Sequence, residues 1–185
     1  VERKINILGF AGSLRKDSFN KALMRAAGEL VPDGATLEIL DLDGIPPFNQ
    51  DLERQPPQKV REFKQKIRAA DAILMATPEY NYSVSGVLKN AIDWASRPYG
   101  ENSLAGKPVA IMSASIGTLG GARAQYHLRQ ILHGVNMHPL NYPEVMVAAA
   151  QEKIGADGKV TDEKTREKIR ELLIALVSWT HKIQK

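Results

Sequence analysis

Short apolar runs in this chain alternate with longer segments whose apolar residues recur at helical spacing, and that alternation leaves few folds open. Strands joined through helices lie parallel, and the right hand of such crossovers removes most remaining topologies. KINILGF reads as the first strand, and SFNKALMRAAGEL follows with Ala22, Leu23, Ala26, Ala27 and Leu30 on one stripe. ATLEILDL alternates Leu37 and Ile39 as a second strand, and PQKVREFKQKIRAA sets Val60, Phe63 and Ile67 on a helix with Pro57 near its first turn. DAILMAT is apolar at successive positions, which predicts a third strand buried on both faces at the sheet centre. GVLKNAIDWAS, KPVAIMSAS and GARAQYHLRQILHGV continue as helix, strand and helix. A fifth strand is expected within MHPLNYPEVMV, where Pro139 and Pro143 indicate an edge position. A last helix is expected from about Thr161, where TDEK supplies a cap and early acids. The longest irregular piece is the proline-rich Asp43–Pro57 connection. The expected architecture is α/β, with a five-stranded parallel sheet of order 2-1-3-4-5 between two helical layers and residues 1–185 in a single domain.

What the chain lacks bounds its chemistry. It has no cysteine, so disulfides, thiolate nucleophiles and sulfur-ligated metals are excluded. Its four histidines form no metal pattern, because His127 and His133 share one helical segment six residues apart while His138 and His181 lie elsewhere. The formal net charge of +4 is mixed along the chain, as on a solvated surface rather than a nucleic-acid footprint, and it favours small anionic ligands. No apolar stretch approaches membrane-spanning length, and the apolar part of VERKINILGF is too short for a secretory signal. The expectation is a soluble cytoplasmic protein with no nucleic-acid partner, no membrane partner and no metal.

In an open parallel sheet, ligands bind beyond the carboxyl ends of the strands where the strand order reverses, here between the first and third strands. Three loops reach that rim. In GFAGSLRKDSFN, the Ser13 and Ser18 hydroxyls, the Asn20 amide and the Arg15 guanidinium precede a helix start, whose free N–H groups favour an anion. The G-x-x-x-x-G-K-[ST] spacing of a triphosphate loop is absent, and no third glycine completes G-x-G-x-x-G after Gly9 and Gly12. A single phosphate monoester fits best, although the stretch alone serves equally as a capped helix start with a surface arginine. After the third strand, Pro78 is followed by Glu79, Tyr80, Asn81, Tyr82 and Ser83, a polar loop whose tyrosines either cover a planar ring or pack on neighbours. After the fourth, SASIGTLGGAR carries Gly117, Gly120 and Gly121, which either admit a flat ligand against the backbone or form a flexible turn. Together, a phosphate cradle, an aromatic loop and a glycine loop suit a phosphorylated planar heterocycle. FMN has that shape, and flavodoxin-like sheets bind it at this point.

GSLRKDSFN, PEYNYSVSGVLKNAIDW and GGARAQYHLRQIL resemble the NAD(P)H-dependent FMN reductase family, in its bacterial quinone, azo-dye and chromate reductase branch. The likeness runs from the first strand to the fourth helix. It implies a flavodoxin-like three-layer sandwich, FMN as cofactor, and NADPH or NADH as co-substrate. Small-molecule electron acceptors are implied too (quinones, flavins, azo compounds or metal oxyanions such as chromate), as is a homodimer or homotetramer. By position, the resemblance implies that Ser13, Arg15, Ser18, Phe19 and Asn20 hold the FMN phosphate, with Leu14, Lys16 and Asp17 lending backbone. It implies that Pro78, Glu79, Tyr80 and Asn81 line the isoalloxazine ring. The segment of Ser113, Ala114, Ser115 and Gly117 would pass beside the flavin, and Gly120 and Gly121 would shape its far edge. Two positions depart from the family pattern. Asp17 stands where a small residue is common, so its carboxylate must turn away from a phosphate or cap the helix. Ala114 stands where a hydroxyl is common, which leaves backbone contact only. Arg123, Tyr126, Arg129 and Glu144 are the implied subunit contacts.

Chemistry carried by a bound flavin needs no side-chain nucleophile or base, so no catalytic residue is expected, and Glu79 is expected to organise its loop. Asp93-Trp94 is expected to pack a helix face near the flavin loop. The alternative function is a non-enzymatic electron carrier of the flavodoxin type, which calls for a strongly acidic surface and a phosphate loop without arginine; the +4 balance and Arg15 oppose it. The purified protein is expected to be yellow and to bleach anaerobically with NADPH or NADH. Colourless protein that takes up no added FMN would contradict the enzymatic expectation, and bound flavin that neither nucleotide reduces would favour the carrier.

Overall fold

The computed structural model describes residues 3–184, so the outermost ends of the domain expected over 1–185 lie outside the described residues. In chain order the elements begin with β1 (Ile5–Ala11), α1 (Phe19–Glu29), β2 (Ala35–Leu40), α2 (Gln58–Ala69), β3 (Ala72–Ala76), β4 (Glu79–Tyr80), β5 (Ser83–Val84) and α3 (Gly86–Ala95). They continue with β6 (Pro108–Ala114), α4 (Ala122–Gly134), β7 (His138–Pro139), β8 (Val145–Val147), α5 (Ala150–Lys153) and α6 (Glu163–Ile183). The main sheet is parallel, in the order β2-β1-β3-β6-β7, with β8 also on β6. This is the expected flavodoxin-like order, and the reversal lies between β1 and β3. The fifth position departs from a continuous strand. β7 pairs with Pro108 and Val109 at one end of β6, and β8 pairs with Met112, Ser113 and Ala114 at the other. Pro143 interrupts the chain between them, since proline offers no N–H to a ladder.

Strand alternation divides the core into two layers. From β1, Ile5, Ile7 and Ala11 point into the cluster under α1 and α6, while Leu8 and Phe10 point into the one under α2, α3 and α4. Every residue of β3 is buried, as its unbroken apolar run requires of a central parallel strand. On the α1 face the sheet presents small residues, Gly9, Ala11, Ala76 and Ala114 among them, so α1 packs close to it. A Cβ on Gly9 would lie 2.6 Å from Met24 Sδ. On the other face Phe10 and Phe63 meet edge to face at 5.5 Å.

Two expectations shift locally. Asp162, not Thr161, caps α6: its carboxylate accepts from the Thr165 backbone N–H at 2.8 Å and from Thr165 Oγ1 at 2.6 Å. Trp94 is buried, but it packs on the β2–α2 connection rather than beside the aromatic loop, donating Nε1 to the Pro46 carbonyl at 2.8 Å and meeting Phe48 edge to face. Asp93 pairs with Lys89 at 2.7 Å one turn away. Among the described residues no helix is long and apolar enough to cross a membrane.

The two Thr165 bonds hold the Asp162 carboxyl below its ordinary value. A group depressed in the folded state stabilises above its unfolded pKa, about 3.9, and loses that contribution as pH falls through the folded value. Asp162→Ala is therefore expected to cost about 1 kcal/mol in urea unfolding at neutral pH. The difference from the parent chain should shrink below about pH 4.

Candidate functional site

The connections leaving the carboxyl ends of β1, β3 and β6 enclose a cleft of about 270 Å³. Its walls are Ser13, Arg15, Ser18, Phe19 and Asn20 from the first, Pro78, Glu79 and Tyr80 from the second, and Ala114, Ser115 and Ile116 from the third.

The first wall begins at Gly12, whose N–H donates to the Ala76 carbonyl at 2.8 Å. A Cβ here would stand 2.7 Å from Leu88 Cβ and 2.8 Å from Ser85 Oγ, so only glycine fits. Ser85 is a residue the sequence reading passed over. Its hydroxyl donates to the Gly12 carbonyl at 2.6 Å and accepts from Leu88 N–H at 3.2 Å, capping α3 while fixing the loop. The available signal was a serine directly before a helical run. Beyond Gly12 the chain turns outward. Ser13 is buried, its hydroxyl accepting from Arg15 N–H at 3.3 Å, and Ser18 caps α1 by accepting from Lys21 N–H. Among the described residues, no hydrogen bond occupies the backbone N–H groups of Leu14, Lys16, Asp17, Ser18, Phe19 or Asn20. These donors surround the positive end of α1, which is what a phosphate dianion requires.

Arg15 is pre-set at the edge of this cradle. Its Nε and Nη2 donate to the Asp17 carbonyl at 3.2 and 2.5 Å, and its guanidinium lies 5.4 Å from the Phe19 ring centroid. Asp17 resolves as the outward case: it is exposed, Ser18 provides the cap, and Asp17 lines the neighbouring groove rather than the cleft. Leu14 and Lys16 are likewise exposed and contribute no side chain to the cleft walls.

Asn20 joins two walls. Its Nδ2 donates to the Ala114 carbonyl at 3.0 Å and its Oδ1 accepts from Ala114 N–H at 3.0 Å. This changes what Ala114 can do. Its N–H is already spent on Asn20, so its contribution is to anchor β6 to α1 rather than to donate backbone to a ligand. Ser113 is a clearer correction. It is fully buried, donating to the Gly120 carbonyl at 2.6 Å and accepting from Gln125 Nε2 at 2.8 Å, so it faces protein and not the cleft. Gly120 and Gly121 also lie outside the cleft lining. Both have positive φ, and a Cβ would strike Met146 and Ala148 backbone in one case and Ser113 in the other. Protein packing by itself already demands these glycines. Gly117 lies on the exposed part of the loop, where a Cβ would meet open space apart from Ser115 Oγ.

The second wall is a tight hairpin. Asn81 and Tyr82 both have positive φ, 48° and 69°, which gives the turn the twist that closes β4 onto β5 without a glycine. Asn81 therefore sits at the turn and outside the cleft lining. Tyr82 is held in this uncommon conformation under the Arg123 guanidinium, 3.8 Å from its ring centroid. Glu79 completes the arrangement. Gly121 brings no capping side chain to α4, and the Glu79 carboxylate supplies it, accepting from Arg123 N–H at 3.1 Å, Ala124 N–H at 3.4 Å and Arg123 Nε at 2.7 Å. With its oxygens so engaged, Glu79 organises the loop. Arg123 is thus committed within its own chain, and Arg129 donates to the Leu140 carbonyl at 3.0 Å, whereas Tyr126 and Glu144 stay exposed.

Residues 5–152 match the family model described as NADPH-dependent FMN reductase. The chain belongs to this family. An NAD(P)H-dependent FMN reductase of Pseudomonas aeruginosa is 52% identical over 181 residues, covering 97% of each chain. A 2-hydroxy-1,4-benzoquinone reductase of a Burkholderia species is 41% identical over 175 residues, covering 95% of this chain and 96% of its own. Among solved structures, a flavoenzyme NAD(P)H:(acceptor) oxidoreductase of Paracoccus denitrificans superposes with a TM-score of 0.88 at 40% identity, covering 96% of this chain and 98% of that one. As a member of the FMN reductase family the chain is an NAD(P)H-dependent oxidoreductase with FMN as its cofactor.

Replacing Asn20 by Ala strands the buried Ala114 N–H and carbonyl. The expected cost is about 2 kcal/mol in urea unfolding, with weaker FMN retention on gel filtration. Unchanged stability would show that the α1–β6 clamp is dispensable.

Proposed function

We propose that the cleft holds FMN with its phosphate in the 13–20 cradle and its ring between the β3–α3 hairpin and the β6–α4 loop. The proposed enzyme reduces quinones at the expense of NADPH or NADH. The observation that carries this is the set of amides at the start of α1, those of Ser18, Phe19 and Asn20, which among the described residues have no hydrogen-bond partner and belong to the same cleft as Tyr80 and Ile116. The donors match one terminal phosphate, and Ser13 adds a buried hydroxyl beside them. Arg15 closes the cradle from the solvent side and offers a planar fork to phosphate oxygens.

Bound FMN supplies two-electron chemistry, taking hydride from NAD(P)H and passing electrons to an acceptor. The protein's part is to hold and shield. Asn20 and Ser85 lock the three walls together, so the cleft is shaped before any ligand arrives. Glu79 and Arg123 fix the hairpin whose Tyr80 lines the mouth. Tyr80 is 53% exposed and Ile116 68% exposed, an apolar, partly aromatic entrance suited to a flat acceptor. The Burkholderia relative's benzoquinone substrate favours the same acceptor class. Nicotinamide and quinone are flat rings of similar size, and one open mouth admits them in turn. The exposed apolar side chains of Leu119, Tyr126 and Tyr142 favour a homodimer or homotetramer that covers them. A reductase drawing on NAD(P)H works where that dinucleotide is kept reduced, which favours the cytoplasm.

Steady-state rates with varied NADPH and a benzoquinone are expected to give parallel double-reciprocal lines, as alternating occupancy of one cleft requires. Arg15→Ala should weaken FMN binding at least about tenfold by losing a charge-assisted contact, with little effect on folding because the side chain is exposed. Intersecting lines would refute the shared cleft, and unaltered FMN affinity would remove Arg15 from the cradle.

A further inference from the structure

A groove of about 420 Å³ runs beside α2, walled by the residues just before that helix and by the Pro98–Glu101 turn, and it shares no residue with the FMN cleft. At its floor is Lys64, a lysine only 4% exposed. The Lys64 ammonium donates to the Arg97 carbonyl, and among the described residues no carboxylate comes within ion-pair distance of it. A buried ammonium with a single neutral acceptor leaves donors unused and its charge without a direct counter-ion. Burial, followed by the nearby Arg68, holds this lysine below its ordinary pKa, and the carboxylates of Glu101 and Glu53 oppose them only in part.

The surroundings add positive charge where neutralisation is needed. Arg61 and Arg68 lie one turn before and one turn after Lys64 on the same face of α2, a spacing at which like charges repel. Arg54 adds a further cation to the lining. Two carboxylates face the groove, and both are otherwise placed. Glu53 is held by Arg97 at 2.8 Å, and Glu101 approaches Arg68 only to 4.0 Å. Arg61 donates Nη1 to the Pro56 carbonyl at 2.5 Å, and among the described residues it has no carboxylate partner.

We propose that this groove is a second anion site, which takes a phosphoryl group over Lys64 between the Arg61 and Arg68 guanidinium groups. Arginine forks match phosphate oxygens, and the buried ammonium supplies a point charge from below. Free phosphate and the phosphate of a small ester share this chemistry.

The test uses flavin-loaded protein, so that the α1 cradle is already filled. Inorganic phosphate, pyrophosphate and AMP are titrated separately at constant ionic strength while phosphorus NMR line width and melting temperature are followed. Saturable binding is expected, weakened at least about tenfold in the double variant Arg61→Gln/Arg68→Gln with flavin content unchanged. Tighter binding of AMP than of phosphate assigns an esterified ligand; tighter binding of phosphate or pyrophosphate assigns a free one. Lys64→Met is expected to abolish the response. No saturable response to any of the three overturns the site, as does one that survives unchanged in the arginine double variant or in Lys64→Met.

Discussion

Asn20 and Ala114 are 94 residues apart in sequence, yet two hydrogen bonds of 3.0 Å hold the start of α1 against the end of β6. The clamp spans the position of β3, and it sets how far apart the phosphate cradle and the β6–α4 loop stand. A carboxamide suits this place because it offers a donor and an acceptor in one plane, matching the N–H and C=O of a single residue. Ser85 does the corresponding work between the β1–α1 loop and α3, through the Gly12 carbonyl. These two ties bind the 13–20 loop both to α3 and to β6.

The site is therefore built by satisfying some backbone groups and leaving others unpaired. Ser13, Ser18 and Ser85 each take up a loop or helix-end amide, while those from Leu14 to Asn20, Arg15 excepted, have no partner among the described residues. An unpaired amide near a helix start is tolerable at a solvent-facing rim and favourable under an anion. On the opposite side of the cleft, Glu79 does the reverse for α4, filling its amide end with a carboxylate. The α4 end is thus closed by the chain itself, whereas the α1 end is the one proposed to take the phosphate. Chemically similar termini acquire different roles through one acidic residue in a neighbouring hairpin.

Much of this was legible in the residue order. Ser13, Arg15, Ser18, Phe19, Asn20, Pro78, Glu79, Tyr80, Ala114 and Ser115 were expected at one site, and the structure brings them onto one cleft. The positions that fell elsewhere share a physical cause. Ser113, Gly120 and Gly121 sit beside the rim in sequence, but strand alternation turns Ser113 inward, and the two glycines are needed for backbone packing against Met146, Ala148 and Ser113. Arg123, expected at a subunit contact, is shared within its own chain between Glu79 and the Tyr82 ring. None of these outcomes follows from local pattern, because each depends on which distant segment arrives alongside.

By itself the sequence determined the α/β class, the parallel sheet order and the rim on which the loops gather, since these follow from apolar periodicity and the handedness of crossovers. It also excluded a dinucleotide fingerprint and a triphosphate loop from the first connection, since the glycines are too few and their spacing differs. Only the tertiary structure decided which of the loop's donors remain available, that Asp17 turns away, that Glu79 caps a helix, and that a buried lysine on α2 donates to a backbone carbonyl. The division has a simple origin. Periodicity and helix-end chemistry are local and can be read along the chain, whereas the pairing of each polar group is settled by neighbours that are close in space and remote in sequence.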